Sequence, residues 1–102
     1  MTETLLTIIC PPSLEQNVTD WLLEREDIFG FTSMTTYGHG SDPQTLSLIE
    51  QVEGRKKQVM FQIQISSEKS NAAIKDLKQE FKGTRIHFWL VPVIESGSLK
   101  KP

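Results

Sequence analysis

The chain has 102 residues, of which 37% are hydrophobic and 24% charged, a balance that fits one folded domain and excludes a disordered, collagen-like or membrane class. A net charge of −2 gives no global attraction to nucleic acid or anionic lipid, so no nucleic-acid partner is expected. One cysteine, Cys10, excludes an intrachain disulfide and every paired-cysteine metal motif.

Thr4 to Cys10 alternates apolar and hydroxyl residues and is β-branched, which predicts a strand buried on at least one face. Pro11-Pro12 stops it, and Ser13-Leu14-Glu15-Gln16 has the form of a capping box opening a helix. Leu14, Val18, Trp21 and Leu22 make its apolar stripe, and the helix ends before Gly30. Phe31 to Tyr37 is rich in β-branched and aromatic residues and reads as a second strand. After a long connection, Val59 to Ile65 alternates cleanly, with Val59, Phe61, Ile63 and Ile65 on one face and Met60, Gln62 and Gln64 on the other. Ser66 and Ser67 are placed to cap a second helix with Ala73, Ile74, Leu77 and Phe81 inward and Gly83 as its stop. The last strand is Arg85 to Val93, where Pro92 argues for an edge position, and the polar end of the chain, 98–102, is expected to be a flexible tail.

This order predicts an α+β fold, the ferredoxin-like βαββαβ sandwich, with a four-stranded antiparallel sheet carrying both helices on one face and a single domain over 1–97. The other face would then present Met60, Gln62 and Gln64 beside His87, Trp89 and Val91, too apolar for open water, so a homo-oligomer packed through this face is expected. The start Met1-Thr2-Glu3-Thr4 lacks the basic opening of a secretory signal and no apolar run is long enough for a membrane span. No direct membrane insertion and a cytoplasmic location are expected.

The connection read as loop 38–58 is long for a small domain, where hairpin loops are normally about 2 to 5 residues, and length of that kind needs a function. Gly38 and Gly40 flank His39 and permit a sharp turn or a close approach to a bound group. The hydroxyl of Ser41, the carboxylate of Glu50, the amide of Gln51 and the guanidinium of Arg55 supply polar contacts. Gly38, His39, Gly40, Ser41, Glu50, Gln51 and Arg55 are therefore the candidate ligand-binding residues. His39 is a candidate metal ligand as well, an exposed loop histidine being the alternative, and Glu50 is either a further ligand or a solvated carboxylate.

Gly30-Phe31-Thr32, with Gly38-His39-Gly40 at the end of the same strand, resembles the second strand and loop entrance of the PII (GlnB-like) signalling family. Cys10-Pro11-Pro12, the run Leu46 to Arg55 and His87-Phe88-Trp89-Leu90-Val91-Pro92-Val93 extend the likeness to a PII-like bacterial subfamily often encoded beside heavy-metal efflux pumps of the resistance-nodulation-division type. The resemblance implies a homotrimer with inter-subunit clefts beside the bases of its long loops. It also implies a regulatory, ligand-sensing role exercised through the loop on a membrane efflux transporter. Three copies of His87 about a threefold axis would then be a second place for a divalent metal ion, the candidate cofactor, with a histidine hydrogen-bonded in a subunit interface as the plainer reading. The chain departs from the PII pattern at the nucleotide site: the turn before the last strand is Lys82-Gly83-Thr84-Arg85 and Glu95 follows that strand, so the residues for binding phosphate are missing. A second resemblance, to the CutA divalent-cation tolerance proteins of the same trimeric fold, implies metal binding without a transporter partner. No enzyme is expected, because the arginine and asparagine of an acylphosphatase are absent from the Cys10-Pro11-Pro12 and Tyr37-Gly38 positions.

Overall fold

The computed structural model describes residues 2–39 and 55–100. Strand β1 (Glu3–Cys10) leads through a single 3-10 turn (Pro12–Leu14) into helix α1 (Glu15–Glu24), followed by β2 (Thr32–His39), β3 (Arg55–Ser66), α2 (Ser67–Glu80) and β4 (His87–Val93). The sheet order is β2-β3-β1-β4 and every neighbouring pair is antiparallel. Both outer strands suit their sequences: Pro92, with no amide hydrogen to give, lies in the edge strand β4.

β1 is central, and side chains from both of its faces are covered: Leu6, Ile8 and Cys10 on one, Thr7 and Ile9 on the other. The core lies between the helices and the first of these faces. Val18 and Leu22 of α1 and Ala73 and Leu77 of α2 close onto Leu6, Ile8, Val59, Phe61, Ile63 and Ile65. Phe31 tilts against Phe61 at 6.0 Å between centroids, and Trp21 meets Phe81 edge-on at 5.9 Å to join the two helices. Both apolar stripes are thus where the helical spacing puts them.

The helix starts differ from expectation. Ser13 sits inside the 3-10 turn, where Leu14 N–H donates to the Pro11 carbonyl at 3.0 Å, and α1 begins two residues later with no side-chain cap. A proline at the first helical position gives up an amide that would be unpaired there anyway, so Pro12 starts the turn without a capping hydroxyl. Gln16 reaches forward to Asp20 at 2.8 Å instead of back to the Ser13 amide. Ser66 occupies the cap position of α2 without a side-chain bond, while the Ser67 hydroxyl pairs with that of Thr2 at 2.7 Å. Gly83, at φ +82, does mark the exit from α2.

Candidate functional site

β2 and β3 pair rung by rung from Thr32 opposite Gln62 to His39 opposite Arg55. The connection expected to begin at Gly38 and end at Gln58 is therefore shorter at both ends: Gly38, His39 and Arg55 to Gln58 are ladder residues of a two-stranded ribbon. Arg55-Lys56-Lys57-Gln58 is polar on both faces, so side-chain alternation gave no sign of a strand that the backbone pairing nevertheless forms. Gly38 is in extended backbone and needs no left-handed turn. A Cβ there would come within 2.5 Å of Gln58 Oε1, so the glycine makes room for the Gln58 side chain to cross it.

Tyr37 lies opposite Lys57 and His39 opposite Arg55, all four on one face of the ribbon by the two-residue period. The Arg55 guanidinium stacks 4.2 Å from the centroid of the half-exposed Tyr37 ring. This face offers cationic and imidazole donors to an anionic or carboxylate-bearing group; a metal ion on His39 would face the Arg55 charge across the rung. Gly40, Ser41, Glu50 and Gln51 lie outside the described residues.

Among the described residues no helix or strand covers the sheet face away from the helices. Its rungs read Met34, Met60, Ile9, His87 and then Thr32, Gln62, Thr7, Trp89 across the four strands, followed by Gln64, Leu5 and Val91. Trp89 is 47% exposed, Met34 43% and Val91 41%, large apolar areas for a surface. Thr7, 1% exposed, donates to Gln62 Oε1 at 2.6 Å, so the polar residue at the centre of the face is satisfied. His87 is on this face and His39 on the opposite one, in the two outer strands. One chain does not bring them together, and no group of three His, Cys, Asp or Glu side chains fit to hold a metal ion occurs among the described residues.

The sequence reading missed a polar cluster on the helix side. Arg25 donates through Nε and Nη2 to both oxygens of Asp27 at 2.9 and 2.7 Å, and through Nη1 to Asp76 at 2.9 Å, with its guanidinium 4.9 Å from the Trp21 ring. An arginine just past a helix end is a signal for this, since a cation is favoured there. The groove of about 300 Å³ beside it, lined by Trp21, Arg25, Asp76, Gln79 and Glu80, has its one cation already held by two carboxylates. Cys10 is fully buried, and burial, with Glu15 nearby, pushes its thiol up to about 11, so it acts as a small core hydrophobe.

Strand order, register and two helices on one face define a ferredoxin-like α+β domain with a long β2–β3 ribbon. The chain belongs to the family described as "Protein of unknown function (DUF3240)", which it matches over residues 1–100. It is similar to the crystal structure of a DUF3240 family protein from Shewanella baltica OS155, with a TM-score of 0.78 and 22% identity over 97% of this chain and 98% of that one. It also resembles the Bacillus cereus protein related to NIF3, with a TM-score of 0.65 and 14% identity over 95% of this chain but 26% of that longer one. Both identities are in the range where likeness speaks for fold alone. No curated protein matches the chain. Among the described residues no helix is long and apolar enough to cross a membrane.

Proposed function

We propose that this chain is a PII-like regulatory protein: a homotrimer that senses a small ligand or metal ion and passes its state to a membrane efflux transporter, serving heavy-metal efflux or metal homeostasis. The observation that carries the reading is the β2–β3 ribbon, an unbroken ladder from Thr32 opposite Gln62 to His39 opposite Arg55, which sets the residues on either side of the 40–54 connection against each other. Ligand contacts at this base would select one arrangement of the connection and change its fit to a partner, which requires different affinities for the two arrangements. The Tyr37, His39, Arg55 and Lys57 face supports a role in binding, and the uncovered sheet face supports assembly of several copies. In this reading the protein binds and signals and catalyses nothing.

Native mass spectrometry of the purified protein, offered zinc, copper, nickel, ATP and ADP in turn, tests it. The expected result is a trimer that takes up one of these ligands in threes and loses it on His39→Ala with the assembly intact. A monomer, or uptake indifferent to His39→Ala, overturns the placement of the sensor at the ribbon base.

A further inference from the structure

We propose that Met34 and Met60 form a thioether site for a soft monovalent d10 cation, Cu(I) or its stable analogue Ag(I), on the uncovered sheet face. The pairing register sets the two residues directly opposite each other on neighbouring strands. Side chains so placed have Cβ atoms about 4.5–5.5 Å apart. A cation held between the two sulfurs bridges such a gap with little rearrangement, because methionine has three rotatable bonds with which to converge. In the folded chain Met34 is 43% exposed and Met60 is half-buried, its sulfur accepting a weak hydrogen bond from Gln62 Nε2 at 3.6 Å.

The surroundings choose the ion. The flanking rungs of the same two strands carry Thr32 opposite Gln62 and Thr36 opposite Gln58, hydroxyls and amides with no carboxylate. A hard divalent cation finds no negative oxygen there to replace its water, whereas a soft monovalent ion prefers neutral thioethers and carries half the charge. His87 is on the same rung but two strands beyond Met60, with Ile9 between, so the pair is the minimal donor set. Both donors come from one chain and neither lies in the 40–54 connection; they sit on the face through which copies are proposed to pack, so the site requires that this packing leave the Met34–Met60 rung open. It is separate from Cys10, which is fully buried on the opposite, helix-covered face of the sheet.

The test is Ag(I) titration of the whole chain, labelled with 13C at the methionine methyl groups, in chloride-free buffer. One equivalent should shift the methyl signals of Met34 and Met60 and leave that of Met1, the third methionine. Cys10→Ala should keep the response. Since even outer-shell partners of metal ligands are worth roughly 10–100-fold in affinity, Met34→Leu and Met60→Leu should each weaken binding by at least roughly tenfold. The affinity should not vary between about pH 5 and pH 8, because thioethers do not titrate and imidazoles do. The proposal is overturned by an unmoved pair of methyl signals in the wild-type chain, a reading that needs no variant to fold. Loss of binding in Cys10→Ala, unchanged affinity in both leucine variants, or an equal methyl response to Zn(II) would each overturn it as well.

Discussion

Asp27 is held as a carboxylate chiefly by Arg25. Arg25 donates two hydrogen bonds to it and keeps its pKa below the ordinary carboxylate value, against a smaller opposing effect of burial. A carboxyl with a lowered folded-state pKa stabilises the fold above its unfolded value of about 3.9, and that contribution is lost as pH falls through the folded value. Asp27→Asn should therefore cost about 1.5–3 kcal/mol at pH 7, the range for a hydrogen bond to a charged group. Urea unfolding from pH 7 down to pH 2 should show the gap between variant and wild type closing below about pH 4. A gap that stays constant across that range would mean the pair contributes through packing alone. Asp76, whose side chain is 51% exposed, adds much less, as solvent-screened ion pairs do.

At the scale of elements, the ribbon separates what the sequence could reveal from what it could not. Every strand and helix with an apolar stripe was legible, because burying one face imposes a period on the side chains: Val59, Phe61, Ile63 and Ile65 are buried as the alternation requires. Arg55 to Gln58 is polar on both faces, so only the β2–β3 backbone pairing marks it as strand, and pairing partners leave no local pattern. The helix starts were misread for a related reason. Ser13 has the right neighbours for a cap, but the paired prolines decide the backbone there first. Of the candidate site, His39 and Arg55 were recognised and are brought face to face across a rung, whereas Met34 was assigned only to a strand, its partner being 26 residues away in sequence. Gly38 tests the revised picture. Gly38→Ala places a methyl against the flexible end of Gln58 without a left-handed backbone, so it should cost no more than about 1 kcal/mol. Adding Gln58→Ala should restore the loss, and a double-mutant cycle measures the coupling. Independent, additive effects would mean that the two do not meet.

For the whole molecule, the asymmetry of the sheet is the governing feature. Two helices cover one face, and the other exposes Trp89, Met34 and Val91 around a buried, satisfied Thr7 and a buried Ile9. A lone domain would gain from polar residues at such positions. Trp89 is the natural anchor of an interface, since buried tryptophans are among the side chains whose truncation costs binding about 2 kcal/mol or more. Replacing it by glutamate would add a charge that cannot be buried without a partner, at a site where the folded monomer already leaves the side chain half in water. Trp89→Glu should therefore leave the fold nearly as stable while dissociating the proposed assembly. Sedimentation equilibrium of wild type and variant, with circular dichroism as the control for folding, reads the two effects apart. A drop to monomer mass with unchanged secondary structure places the interface on this face; an unchanged mass removes the face from the assembly and with it the reason for a threefold arrangement of His87.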